Sequence, residues 1–139
     1  MSDNTRSIKY TKEELMEIKK LYESLMTVAS HGLFFRTGQI MGARISKMAL
    51  KDKQNYFERV GKLIVEEDWA KEVKFTTNNV VVKGSIEVAH GKGHTCHMLR
   101  GVIAKIYEEK LGKKVYCHEV ECESAGDEKC KFEIETGVI

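Results

Sequence analysis

Residues 72–88 read EVKFTTNNVVVKGSIEV, and here the hydrophobic period of the chain changes. Glu72-Val73-Lys74-Phe75-Thr76 alternates polar and apolar, Asn78-Asn79 supplies turn chemistry, and Val80 to Val88 is β-branched and mostly apolar. Two β-rich runs around a turn pair spell a hairpin. Upstream the period is that of helices; downstream one more helix precedes two more strands. Helices first, then a sheet interrupted by one helix, is the α+β class: N-terminal helices packed on an antiparallel β-sheet with one inserted helix.

Upstream, Thr11 and Glu14 form a capping box followed by Leu15, Ile18, Tyr22, Leu25 and Met26 at helical spacing. A helix is predicted from about Thr11 to Ser30, with a break at His31-Gly32. A second, from about Leu33 to Leu50, carries Phe34, Phe35, Ile40, Met41, Ile45 and Met48. Its Gly38 and Gly42, four apart on one face, allow another element to approach the backbone closely. A third helix, about Gln54 to Trp69, buries Phe57, Val60, Leu63 and Ile64. Downstream, the loop His90-Gly91-Lys92-Gly93 leads into a helix from about His94 to Leu111, whose Leu99, Val102, Ile103, Ile106 and Tyr107 form one stripe ahead of Gly112. Strands Lys114 to Glu121 and Lys129 to Glu135 follow. There is no internal repeat.

The 139 residues fit one domain, 1–139, of which 1–10 read as a polar tail. A domain of this size buries roughly two-thirds of its unfolded surface, enough for a core without disulfides. With 23 basic and 21 acidic residues the net charge is only +2, which offers nothing to nucleic acid or an anionic membrane. No apolar run is long enough for membrane insertion and the start does not read as a signal peptide. A cytoplasmic location is expected, where thiols stay reduced and metal is favoured over disulfide.

Chemistry concentrates in the last third. Cys96, Glu119, Cys122 and Cys130 offer three soft sulfurs and one hard oxygen, a donor set suited to zinc at the C-terminal hairpin. The turn Glu123 to Lys129 can bring Cys122 and Cys130 together locally. On a regular strand Glu119 and Cys122 point to opposite faces, so both reach one ion only if the strand ends or bulges near Val120-Glu121. Cys96 falls in the first turn of its helix, where the dipole favours a thiolate. Arg100, Lys129 and Lys131 are placed to offset the negative charge of such a site. A reduced buried cysteine set and a Cys122–Cys130 disulfide are the alternatives, and His94, His97 and His118 are rival ligands.

The run Cys96-His97-Met98-Leu99-Arg100-Gly101, then Gly112 and Val115, then Glu119-Val120-Glu121-Cys122, then Gly126 and Cys130, resembles the 4-vinyl reductase domain over about residues 84 to 135. That family includes the sensory domains of phenol-responsive bacterial transcription activators and archaeal proteins described as hydrocarbon-binding. In the sensory branch the Cys, Glu, Cys and Cys of the motif bind zinc, which implies that role for Cys96, Glu119, Cys122 and Cys130. The resemblance also implies a fold shared with vesicle-trafficking complex subunits, often as a homodimer. It implies a cavity between helices and sheet that takes a small hydrophobic ligand. By the same match Cys117 and Ile106 face that cavity, and Phe75, Phe34, Phe35 and Met41 are candidates to complete its wall. The hairpin Lys83-Gly84-Ser85-Ile86-Glu87 lacks the tryptophan of the phenol sensors, so phenol specificity does not carry over.

A closed four-donor zinc leaves no position for a catalytic water, so no enzyme activity is expected. Cys117 and His118 are adjacent on a strand and point apart, so they cannot pair as nucleophile and base. Gly91-Lys92-Gly93-His94-Thr95 lacks the glycine spacing of a phosphate loop. Two readings remain: a zinc-stabilised carrier or sensor for a small hydrophobic or aromatic molecule, or a trafficking-subunit-like dimerisation module with no ligand.

Overall fold

The computed structural model describes residues 3–136. Met1 and Ser2 of the expected tail, and Gly137 to Ile139, lie outside the described residues; Asp3–Thr5 form a single 3-10 turn. Helix α1 spans Lys12–Met26 and opens on the expected box: the Glu14 N–H donates to Thr11 Oγ1 at 3.0 Å, and the Thr11 N–H donates to Glu14 Oε1 at 2.9 Å. The break that follows is at Thr27 (φ 50°), not at His31-Gly32. Helix α2, Ala29–Ala49, resumes at once, and the Ser30 hydroxyl donates to the Thr27 carbonyl at 2.6 Å. A single glycine in a helix costs only about 1 kcal/mol relative to alanine, too little to end one that is packed on its far side.

Helix α3 covers Tyr56–Glu66, shorter than predicted at both ends: a 3-10 turn, Lys53–Asn55, precedes it, and Asp68 with φ 65° follows. Strand β1 is Glu72–Phe75 and β2 is Asn79–Lys83. The second strand falls short of the expected end at Val88. It stops because Gly84, at φ 69°, turns the chain off the sheet. Residues 84–96 then form a long connection in which Ser85, Glu87 and Val88 are nonetheless buried. Helix α4 is His97–Leu111, starting three residues later than expected and ending on Gly112 at φ 70°. Strands β3, Val115–Glu121, and β4, Cys130–Thr136, close the described chain.

The sheet is antiparallel in the order β1-β2-β4-β3. Paired residues share a face. Val82 with Cys130, and Val80 with Phe132 and Glu119, look toward the helices, while Tyr116, His118 and Glu133 look outward and are exposed. Helix α4 lies over this inner face with Leu99, Val102, Ile103, Ile106 and Tyr107 all fully buried. Burying a side chain of that size contributes roughly 1.5–3 kcal/mol.

Helix α2 crosses α4 at backbone contact, as Gly38 and Gly42 suggested. A Cβ on Gly38 would overlap the Met98 carbonyl, one on Gly101 the Phe35 carbonyl, and one on Gly42 would stand 2.7 Å from the Val102 carbonyl oxygen. The outward faces of the first two helices stay uncovered: Leu25, Val28 and Ile40 are each about three-quarters exposed.

Candidate metal centre

The strand β3 register carries the site. Glu119 pairs with Phe132, but Glu121, not Val120, pairs with Lys131. One extra residue has been inserted, a β-bulge. The next position, Cys122, therefore falls opposite Cys130 on the inner face that Glu119 already occupies. The irregularity that the ligand set demanded is present where it was expected.

Cys122 opens a tight loop. Its carbonyl accepts from the N–H groups of Ala125 (2.9 Å) and Asp127 (3.2 Å), and its own N–H donates to the Asp127 carboxylate at 2.9 Å. Gly126, at φ 98°, takes a conformation that side chains disfavour. The loop returns the chain at Cys130. Cys96 arrives from the other side as the residue that caps α4, one position before the helix and not within its first turn as predicted.

The four donor atoms, Cys96 Sγ, Cys122 Sγ, Cys130 Sγ and a Glu119 carboxylate oxygen, all lie within 4.8 Å of one another. The Cys96–Cys130 and Cys130–Cys122 sulfur separations are both 3.8 Å. A disulfide requires about 2.05 Å, so the expected alternative of a Cys122–Cys130 bridge is absent and all four cysteines are free. Zinc–sulfur bonds of about 2.3 Å at tetrahedral angles place sulfurs about 3.8 Å apart. Glu119 Oε1 accepts the Cys96 N–H at 3.3 Å, whereas Oε2 is buried with no partner. An orphaned buried carboxylate oxygen is costly. A cation among these donors removes that cost, so the residues fit a bound metal.

Protons are unevenly shared in the cluster. Hydrogen bonds from Cys130 and Cys96 hold the Cys122 thiol well below its ordinary value. The same bonds push Cys96 far up and Cys130 up to about 12. Burial, with the Cys122 charge beside it, pushes Glu119 up to about 8. Negative charge thus collects on one sulfur ringed by protonated donors. A divalent ion can displace those protons.

The rival ligands are elsewhere. His118 projects from the outer face and meets Glu135 at 3.2 Å, and His97 stacks on His31 with ring centroids 3.9 Å apart. Burial, reinforced by His31, pushes the His97 imidazole down to about 3. Two of the expected compensating cations are engaged as well: Arg100 lies over the Phe35 ring at 4.3 Å, and Lys129 sits 3.9 Å from Glu121.

Sequence reasoning missed the polar frame around the cluster. Ser85 Oγ accepts from Cys96 Sγ at 3.2 Å, and the Glu123 N–H donates to Cys130 Sγ at 3.4 Å. Thr95 Oγ1 donates to the Glu87 carbonyl at 2.8 Å and lies 2.6 Å from Ser124 Oγ, which accepts the Ala89 N–H. Glu87, fully buried, accepts the N–H groups of Met98 (3.0 Å) and Leu99 (2.7 Å) and so caps α4. The one signal for it was a glutamate set between Ile86 and Val88 in an apolar run.

Of the candidate ligand-contact residues, Cys117 and Ile106 are buried between α4 and the sheet. Burial, with the nearby Cys117 thiol, raises the Tyr107 phenol. Tyr107 in turn packs against Phe57 and Phe75 at 5.0 and 5.9 Å between centroids. Phe75 also lines a groove of about 720 Å³ between α3 and β1, together with Phe57, Gly61, Val65 and Val73. Phe34 is engaged by Tyr22 and Lys19, and Phe35 by Arg100; Met41 is half-buried against the core.

Fold and cluster together define an α+β domain with a metal-ligand set at its C-terminal hairpin. Residues 78–136 match the 4-vinyl reductase domain family, so this part of the chain carries the domain that its cysteine pattern resembles. The crystal structure of the phenol-responsive sensory domain of the transcription activator PoxR with phenol is similar to this one, with a TM-score of 0.79 at 20% identity, covering 95% of this chain and 77% of that one. A vinyl-4-reductase family protein from Methanocaldococcus jannaschii is similar at a TM-score of 0.65 and 17% identity, over 96% of this chain and 85% of that one. At such identities the likeness is one of fold. No curated protein matches the sequence.

Proposed function

We propose that this chain is a zinc-stabilised, non-catalytic domain that binds a small hydrophobic or aromatic molecule as carrier or sensor. The observation that carries the reading is the closed set of four donors with tetrahedral spacing and one unpartnered carboxylate oxygen. Four protein donors complete the shell of a structural zinc, whereas a catalytic zinc keeps one position for water. Cys117 is an unsuitable nucleophile, since burial pushes its thiol up to about 12. Three reduced thiols at one metal suit a cytoplasmic setting. Among the described residues no helix is long and apolar enough to cross a membrane.

The ligand wall we assign to Cys117, Ile106 and Phe75, with Phe34, Phe35 and Met41 reached only if α2 shifts. Access is through the groove at Phe75, whose volume falls within the roughly 300–1,000 Å³ usual for small-molecule sites. The family match and the PoxR sensory domain, a phenol-binding relative in fold, support a small-molecule ligand. Protein purified without added metal is expected to hold one zinc per chain by elemental mass spectrometry. Calorimetric titration with alkylbenzenes, alkylphenols and medium-chain fatty acids is expected to detect binding that Phe75→Glu abolishes. Metal-free protein that is fully folded, or silence across the panel, would overturn the proposal.

A second reading, an assembly module working as a homodimer, is favoured by the uncovered apolar side chains Leu21, Leu25, Val28 and Ile40. Light scattering on the purified chain, repeated on Leu25→Glu and Ile40→Glu, tests it. A monomer at all concentrations removes this reading.

A further inference from the structure

We propose that helix α1 is coupled to the metal centre through Lys19, so that metal occupancy and the docking of α1 control each other. The inference rests on the zinc reading above and adds a regulated element to it. Alone, a helix of 15 residues is marginally stable in water, so α1 depends on the face it buries. That face is narrow: Leu15 and Lys19 are its buried residues, while Leu21, Tyr22 and Leu25 are exposed.

Lys19 reaches away from α2 into the 84–96 connection. Its ammonium donates to Glu87 Oε2 at 2.8 Å and to the Thr95 carbonyl at 2.8 Å. Thr95 immediately precedes the metal-ligand position Cys96. The Glu87 carboxylate is the group that caps α4 through Met98 and Leu99, and Cys96 supplies no side-chain cap of its own. The backbone that aims the Cys96 thiol is therefore held on one side by the C-terminal hairpin and on the other by a lysine of α1. Lys19 and Glu87 are positioning residues for the site.

Two directions of effect follow. When α1 leaves, Glu87 becomes a buried carboxylate without its counter-ion, which is strongly unfavourable and loosens the connection that places Cys96. When metal leaves, Cys96 loses its anchor, Thr95 and Glu87 shift, and the acceptors for Lys19 are lost. Thermodynamic linkage makes the two effects equal in size, typically 5–150-fold in affinity. Release of α1 would alter the apolar surface at the N-terminal end of the domain, a change that a partner chain could read.

The test is hydrogen–deuterium exchange on the full chain before and after zinc removal, with zinc counted on the same samples. Zinc removal is expected to speed exchange about tenfold or more in residues 12–26 and 84–101, while α3, remote from the cluster, changes much less. Lys19→Met, which keeps the stem and removes the charge, is expected to weaken zinc about tenfold in competition with a chromophoric chelator. In that variant α1 exchange should no longer respond to zinc. Unchanged α1 exchange in a protein that demonstrably binds zinc, or an equal rise in α1 and α3, overturns the coupling and leaves the zinc reading standing. A chain that binds no zinc removes both. The wild-type exchange experiment decides the matter even if Lys19→Met fails to fold.

Discussion

Replacing Gly101 by alanine sets helix propensity against steric fit, and the two predict opposite signs. Gly→Ala inside a helix normally stabilises by about 1 kcal/mol. At Gly101 the added Cβ would overlap the Phe35 carbonyl oxygen and stand 2.9 Å from its carbon and 3.0 Å from the Gln39 nitrogen. Carbon contacts are comfortable at about 3.5–4.0 Å. All three obstacles are backbone of α2, so no side chain can swing aside and the helices must part by about 1 Å.

Overpacking of this kind costs typically 1–3 kcal/mol, and more where only backbone can give way; about 3–4 kcal/mol is expected at this crossing. Subtracting the propensity gain leaves a net loss of about 2–3 kcal/mol. For a domain of this length that is a fall in Tm of roughly 6–12 °C. Gly32→Ala is the internal control: it lies in α2 with nothing within 4 Å of the added carbon, so it should stabilise slightly. Gly38→Ala strikes the Met98 carbonyl across the same crossing, so the double variant should lose less than the sum of the singles. Thermal and urea denaturation read all four proteins. A Gly101→Ala protein as stable as wild type would falsify the close crossing and with it the placement of α4 that delivers Cys96.

Cys122→Ser should reduce bound zinc to below half of the wild-type content, and the protein should lose the stabilisation that zinc gives, about 2.7 kcal/mol when free zinc stands 100-fold above its Kd. Equal zinc content in the variant argues against the site. Ser124→Ala removes the acceptor of the Ala89 N–H and the partner of Thr95, and should cost about 1–3 kcal/mol in urea denaturation while leaving the secondary structure intact by circular dichroism. Arg44 grips Glu67 with two bonds of 2.6 and 2.8 Å and holds its carboxyl below the ordinary value. A folded pKa below the unfolded one means that this stability is present above the unfolded value, about 4.3, and is lost as pH falls through the folded one. Arg44 is half-exposed, so the contribution stays within about 1 kcal/mol. Glu67→Gln should abolish that increment at neutral pH while leaving stability near pH 2 unchanged.

What could be read in advance divides by the range of the interactions. The capping box at Thr11 and Glu14 spans one turn and was legible. So was the bulge, because Glu119 and Cys122 could share a face only if an extra residue intervened, and the crossing at Gly38 and Gly42, because bare backbone at that spacing invites contact. The end of α1 was misplaced because the sequence marks it with Thr27, an unexceptional residue, and not with glycine. The second strand was drawn too long for a similar reason. Ile86 and Val88 are apolar because they are buried in a connection, and burial without hydrogen-bonded pairing looks the same in sequence. Glu87 was invisible, since its partners Lys19, Met98 and Leu99 lie 68, 11 and 12 positions away.

The displaced cations carry the remaining lesson about the site. With zinc bound, three thiolates and one carboxylate leave a formal charge of about −2. Basic residues next to the ligands in sequence were the obvious compensators, yet Arg100 covers Phe35 and Lys129 faces Glu121. Neutral donors stand there instead: the Cys96 N–H on Glu119, the Glu123 N–H on Cys130, and the hydroxyls of Ser85 and Thr95 near Cys96 and Cys122. The difference has a physical reason. A buried ammonium or guanidinium binds a thiolate by the same charge attraction as the metal and competes with it, whereas an N–H spreads the charge and leaves sulfur lone pairs free. Among the described residues Lys19 is the only buried ammonium, and it is matched by a fully buried carboxylate of its own, Glu87. A neutral pair of that kind can hold the frame without drawing on the charge that the cation needs.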